Sequence, residues 1–295
     1  RWLPQRERVR AQGIMWTFAR WGGAFTPLLV VFVLQFVSWR WSFVLFGSLG
    51  LVWTYFFFRW FRDNPASHRG VNQAELALLG DAGRMASGHG DVPWKKFLRS
   101  RTALLLWAQY FFLSYPWYFF ITWLPTYLQE YRGLDEATSA RYAVFPLLFG
   151  GMGCLFCGLI STKVERRLGM RMGRRALACL GFTGGALFMT LHIQLESALL
   201  AMLAMGMASF SGDLVMPPSW GACMDAGGKY AGTLSGSMNM MGNMAGFVAA
   251  WVGGWIVQQT GGNWNVFLYT MAGIYLLGLL CWPFIDPVTP LDQQE

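Results

Sequence analysis

The chain has 295 residues, 55% hydrophobic and 13% charged, with 23 Lys and Arg against 15 Asp and Glu and a formal net charge of +8. A soluble domain carries about 25% charged residues, so water alone cannot solvate this surface; the composition excludes a disordered chain, a basic nucleic-acid module and a disulfide-stapled secreted domain. The solvent is largely lipid, and the place of each cation matters more than their sum.

The chain opens with a basic polar run, Arg1 to Arg10, with no initiator Met and no signal-peptide pattern, so a cut protein or the back part of a longer one is expected. A helix needs about 20 apolar residues to span a bilayer. Eight stretches qualify, near 12–37, 41–61, 102–128, 141–161, 176–194, 198–221, 233–259 and 265–285. Trp39, Trp41, Trp123, Tyr127 and Trp264 lie near their ends, as an aromatic belt requires. Arg6, Arg8 and Arg10 precede the first span. Arg62, Arg69, Arg84, Lys95, Lys96 and Arg99 follow the second, and Lys163, Arg166, Arg167, Arg171, Arg174 and Arg175 follow the fourth. The alternate connections hold only Arg40, Arg132 and Arg141, so the positive-inside rule puts the basic loops and both ends of the chain in the cytoplasm.

In the long second connection, Asn72-Gln-Ala-Glu75 has the form of a capping box. Val92 to Arg99 separates apolar from basic residues as an interfacial helix would, and Gly83, Gly88 and Gly90 mark a flexible stretch between the two. Gly181-x-x-x-Gly185, Gly232-x-x-x-Gly236 and Gly242-x-x-x-Gly246 have the spacing of close helix packing. Cys154, Cys157, Cys179, Cys223 and Cys281 sit in or beside apolar runs and read as packing thiols; Cys154-x-x-Cys157 lacks the second pair or His of a zinc site.

Soluble-enzyme signatures are missing. Gly228-Lys229 is followed by Tyr230, not Ser or Thr, and Gly151-Met-Gly153 by Phe156 where a dinucleotide loop needs Gly. His68, His89 and His192 are widely separated, and no nucleophile elbow exists. Two charges inside apolar spans stand out, Arg20 in the first and Asp213 in the sixth. Each costs at least about 3 kcal/mol, which makes it a functional candidate; the alternative is a buried salt bridge or a helix break ahead of Pro217 and Pro218. Arg20 lies about 12–15 Å in from the basic side and Asp213 about 22 Å in from the other, in a core of about 30 Å, so a direct pair is within reach. The third span brings Tyr115 and Tyr118 to membrane depth between Pro116 and Pro125, where aromatics can line a cavity or face lipid. Asn239 and Asn243 share a helix face in the seventh span and can join helices or bind substrate.

Arg1-Trp-Leu-Pro-Gln-Arg-Glu-Arg8 with Ala11-Gln-Gly-Ile14 resembles the loop after the fourth helix of the major facilitator superfamily, in its anion:cation symporter branch of galactonate, glucarate, hexuronate and tartrate permeases. The resemblance continues in order through Trp39-Arg-Trp-Ser-Phe43, Phe61-Arg-Asp-Asn-Pro65 and Ile121-Thr-Trp-Leu-Pro-Thr-Tyr-Leu128. It ends with Pro218-Ser-Trp220, Tyr230-Ala-Gly-Thr-Leu-Ser-Gly-Ser-Met-Asn239 and Gly242-Asn-Met-Ala-Gly246. It implies an all-α polytopic membrane protein whose eight spans are family helices five to twelve. Residues 1–61 would end the first six-helix half, 62–101 would be the cytoplasmic linker and 102–295 the second half. The family's intramembrane acidic and Arg residues on helices one to four are absent. Gly158-Leu-Ile-Ser-Thr-Lys-Val-Glu-Arg-Arg167 departs from the superfamily's Gly-x-x-x-Asp-Arg loop, with Thr162 in place of the Asp and Glu165 as a stand-in.

The resulting expectation is a secondary transporter, not an enzyme. It would take up a small organic anion, a sugar acid by resemblance, by proton-coupled (or sodium-coupled) alternating access in the inner membrane. Arg20, Tyr115, Tyr118, Asn239 and Asn243 would bind substrate, and Asp213 would couple protons or gate. The chain would be a monomer in the lipid bilayer with no cofactor, metal or nucleic acid. The alternatives are an exporter of drugs or metabolites, with Asp213 touching a cationic substrate, and an intramembrane lipid-modifying enzyme.

Overall fold

The computed structural model describes residues 2–79, 92, 94–291 and 293. The expected flexible stretch at Gly83, Gly88 and Gly90, with Arg84, lies outside the described residues. The described residues form helices and connecting turns, with no strand among them. In chain order the helices are α1 (Arg8–Leu34), α2 (Trp39–Trp60), α3 (Gln73–Leu79), α4 (Trp94–Arg99), α5 (Arg101–Thr122), α6 (Leu124–Thr126), α7 (Glu136–Leu168), α8 (Met170–Gln194), α9 (Ala198–Asp213), α10 (Met216–Gly227), α11 (Ala231–Gln259) and α12 (Trp264–Cys281). Among the described residues, six helical runs are long and apolar enough to cross a membrane, and one of them, Ala198–Gln259, has 62 residues and holds α9, α10 and α11. The helix α5 is outside that set, because Gln109, Tyr110, Tyr115, Pro116, Trp117 and Tyr118 dilute its aliphatic residues.

Prolines decide where the runs break. Pro217 and Pro218 enter the first turn of α10, where their missing N–H groups cost nothing, so the expected sixth span divides at Leu214–Val215, just after Asp213. Pro125 likewise starts α6, and the third span ends in a π-helical turn, Tyr127–Tyr131, rather than running straight to 128. Pro116 stays inside a continuous α5, and Gly169, at φ +80, makes the tight α7–α8 turn.

The chain forms two compact units, one of Arg1–Gln5 with Gly22–Gly88 and one of Arg6–Trp21 with His89–Glu295. In the first unit the apolar side chains of α2 are nearly all exposed, from Trp39 to Trp60. The Trp2 indole donates to Arg62 O at 2.9 Å and sets its ring against Phe61 and His68. The capping box forms reciprocally: Glu75 N donates to Asn72 Oδ1 at 2.8 Å and Asn72 N to Glu75 Oε2 at 3.2 Å.

In the second unit, α5 packs against α11 and α12, α7 against α9, and α8 against α9 and α12, around one core that includes Phe119, Phe182, Phe267 and Tyr275. Glycines set the closeness of these contacts: a Cβ at Gly278 would run into the Phe182 ring and one at Gly253 into Phe267. The short α4 buries Phe97 against Tyr230 and leaves Trp94 and Leu98 exposed along with Lys95 and Lys96.

Candidate functional site

One face of α1 carries inward-bonded residues at steps of four. Arg8 pairs with Asp225, the Gln12 amide reaches Met224 Sδ at 4.0 Å, Trp16 packs on Trp220 at 5.7 Å between ring centroids, and Arg20 meets Asp213. One residue further on, a second ladder meets α7. A Cβ on Gly13 would lie 2.7 Å from both Cys154 O and Gly158 Cα; Thr17 Oγ1 lies 3.1 Å from Gly151 O, and Trp21 Nε1 donates to Leu148 O at 3.2 Å. An α-helix places i and i+4 on one line, so two adjacent lines dock α1 against two neighbours at once.

The innermost rung is the pair that depth alone put within reach. Arg20 Nε donates to Asp213 Oδ2 at 2.7 Å and Nη2 to Oδ1 at 2.8 Å, a bidentate pair with both side chains buried. Arg20 Cζ lies 3.4 Å from the centroid of the Trp117 ring, so the indole covers one face of the guanidinium. Nη1 makes no hydrogen bond to a described residue. The absence of a side chain at Gly150 accommodates the acid, since a Cβ there would collide with Asp213 Oδ2. Removing one partner of such a buried pair costs about 3–5 kcal/mol, because the other charge is left uncompensated.

A cavity of about 170 Å³ opens on the Arg20 side of this pair, lined by Arg20, Tyr110, Ser114, Trp117, Tyr118, Asn239 and Asn243 among others. Tyr118 Oη donates to Asn243 Oδ1 at 2.9 Å and Asn243 Nδ2 to the Asn239 carbonyl at 2.9 Å, which leaves the Asn239 amide available. Thus Arg20, Tyr118, Asn239 and Asn243 come together, with Asp213 behind Arg20. Tyr115 does not join them. Residues 110, 114, 117 and 118 repeat at helical spacing, and 115 falls off that line; its ring is buried against Phe267 of α12. The cavity offers one guanidinium, hydroxyls, two amides and aromatic walls, and no carboxylate among the described residues lines it. That chemistry suits a small anion carrying hydrogen-bonding groups.

Sequence reasoning missed the second charge cluster. Asp225 lies between Arg8 and Arg174, and Arg174 Nε also donates to Glu165 Oε1 at 3.2 Å. Arg174 and Asp225 have fully buried side chains. The expected 158–167 loop is helical, lying in the last turns of α7, and its Glu165 is bound to Arg174. The i+4 series Arg8, Gln12, Trp16, Arg20 is visible in the sequence and marks the face; Trp117, Asp225 and Arg174 carry no comparable signal. At the opposite end of the unit, His192 is fully buried between Tyr127 Oη at 2.9 Å and Ala201 O at 2.7 Å, and Arg132 Nε donates to Tyr127 Oη at 2.8 Å.

Residues 1–250 match the family profile described as Major Facilitator Superfamily. A Cupriavidus necator protein named "Probable sulfoacetate transporter SauU" is 32% identical over 100% of this chain and 68% of its own length. An Escherichia coli D-galactonate transporter is 27% identical over 56% of this chain and 41% of its own length. A Bacillus subtilis hexuronate transporter is 27% identical over 56% of this chain and 38% of its own length. The chain thus spans about two thirds of the first of these relatives and less than half of the other two.

Proposed function

The chain belongs to the Major Facilitator Superfamily, multi-pass membrane transporters rather than enzymes, and on that premise we propose that it carries a small organic anion by proton-coupled alternating access. The observation that carries this reading is the buried Arg20–Asp213 pair with Trp117 over the guanidinium and a cavity at its open edge. In the empty site the pair is neutral. An anion that binds Nη1 of Arg20 adds a negative charge in a medium where charge is costly, and a proton on Asp213 restores neutrality. Anion and proton therefore favour each other's binding, and by linkage the effect is mutual. Trp117 acts as a positioning residue that holds the guanidinium plane, while Asn239 and Tyr118 meet the polar end of the substrate.

The proposed orientation puts the basic loops in the cytoplasm and the protein in the inner membrane. Residues 1–61 end the first half, 62–101 link, and 102–295 form the second half. Sulfoacetate, galactonate and hexuronates, the anions in the relatives' names, are the first substrates to try. A cationic-drug exporter is less favoured, because Asp213 is committed to Arg20 and no carboxylate lines the cavity.

The test is uptake of labelled sulfoacetate, galactonate and glucuronate into vesicles bearing the natural protein, with and without an inward proton gradient. Gradient-stimulated uptake of at least one, lost in Arg20→Gln with normal membrane expression, supports the reading. Normal uptake by Arg20→Gln removes it as the anion contact. If Arg20→Gln/Asp213→Asn folds or transports no better than the worse single variant, the two do not act as a pair.

A further inference from the structure

The residues after α12 are tied across the basic end of the second unit in a way the transport site does not need. Ile285 and Leu291 are buried in the core, and the stretch between them is held by three arginines at the start of α8. Arg175 donates to Ile285 O through Nε at 2.9 Å and Nη2 at 2.7 Å. Arg171 Nη2 meets Asp286 Oδ2 at 2.7 Å, and Arg174 Nη1 donates to Pro287 O at 2.7 Å. Leu291 N donates to Ala226 O at 2.8 Å, satisfying a carbonyl in the last turn of α10, where helix carbonyls lack partners of their own.

Two of these ties converge on one carboxylate. Arg174 Nη1, which holds Pro287 O, is the same nitrogen that pairs with Asp225, and Ala226 is Asp225's neighbour in the chain. Asp225 in turn is the partner of Arg8, the outermost rung of α1. We propose that Ile285–Leu291 is a strap that sets how firmly α1 is held at the basic end, acting through Arg174 and the end of α10 on the Arg8–Asp225 bond. With the strap seated, Arg174 is fixed from both sides and Asp225 presents its other oxygen to Arg8. With the strap released, Arg174 can turn wholly toward its acids and the last turn of α10 loses its anchor, so Arg8 is held less well. The tie closest to solvent is Arg171–Asp286, with side chains 53% and 23% exposed, which makes it the natural point of release.

The experiment loosens the strap without touching Arg174, Asp225 or Arg8. In the natural protein, Arg171→Gln/Arg175→Gln is combined with Gln12→Cys, a site on the α1 face, and maleimide labelling of that cysteine is timed in vesicles. A parent without Gln12→Cys gives the background from the native cysteines. A second reporter, Pro290→Cys, reads whether the strap has left its seat. The expected result is faster labelling at both cysteines, about tenfold at position 12, as for the loss of about one hydrogen bond to a charged group. Arg8→Gln alone should speed labelling at position 12 at least as much, and adding the strap variant to it should give no further gain. Release at position 290 with unchanged labelling at 12 would overturn the proposal, as would an equal gain in the Arg8→Gln background. Unchanged labelling at both cysteines would also count against it, since the arginines would then not be what holds the strap. None of these readouts depends on the identity of the transported anion.

Discussion

The backbones of α1 and α7 come close at Gly13, and that yields a sharp prediction. A Cβ there would stand 2.7 Å from Cys154 O, 2.7 Å from Gly158 Cα and 2.9 Å from Gly158 N, all backbone atoms with no side-chain freedom to yield. Restoring ordinary contact at 3.4 Å requires α1 and α7 to part by about 0.7 Å along this line. Overpacking of this kind costs about 1–3 kcal/mol, while alanine in place of glycine favours the helix itself by up to about 1 kcal/mol. The helix therefore survives and its docking suffers. Gly13→Ala should shift the protein toward the separated arrangement by roughly 5–150-fold. Gly158→Ala is the control, because its Cβ would meet Arg10 O at 3.2 Å and Gly13 Cα at 3.3 Å, contacts a few tenths of an ångström can relieve. The assay is maleimide labelling of Gln12→Cys from the basic side in vesicles, with membrane expression and monodispersity checked for each variant. Labelling of Gly13→Ala at the parent rate would refute the reasoning, and so would faster labelling in Gly158→Ala than in Gly13→Ala.

Other outcomes follow from the same contacts. Trp117→Leu should raise the half-saturating anion concentration about five- to thirtyfold, as for loss of a desolvated cation–π contact of about 1–2 kcal/mol, with Trp117→Phe intermediate; equal affinity in all three would remove its positioning role. Asp213→Asn should leave uptake, where it persists, insensitive to an imposed pH gradient, whereas retained gradient stimulation would locate the proton elsewhere. Tyr127→Phe leaves the buried His192 ring nitrogen and Arg132 Nε without their shared hydroxyl and should cost about 1–3 kcal/mol, read as a lowered Tm in detergent; an unchanged Tm would mean water replaces it. Asn72→Ala should fray α3 by about 1 kcal/mol and speed limited proteolysis there, an effect absent if the capping box contributes nothing.

Much of the architecture was legible in the sequence because a bilayer imposes long-range order through local composition. Apolar runs, their lengths and the alternation of basic loops are properties of consecutive residues, and membrane insertion reads them without knowing the fold. The capping box at Asn72 and Glu75 is equally local, since its partners are three residues apart. Arg20 and Asp213 stood out because a charge in an apolar run is anomalous wherever the run is packed, and counting residues from each interface brought both into the same half of the bilayer. Tertiary structure alone decided the rest. Rotation about the α5 axis puts Trp117 over the guanidinium and turns Tyr115 toward Phe267, though the two are only two positions apart. The pairing of Asp225 with Arg8, across a sequence separation of 217, depends on which helix faces which. Burial then makes those choices costly to reverse: once α1 lies on α7 and α10, each buried charge is committed to the partners it faces, Asp225 to Arg8 and Arg174 and Asp213 to Arg20, and a composition compatible with many pairings supports one set of them.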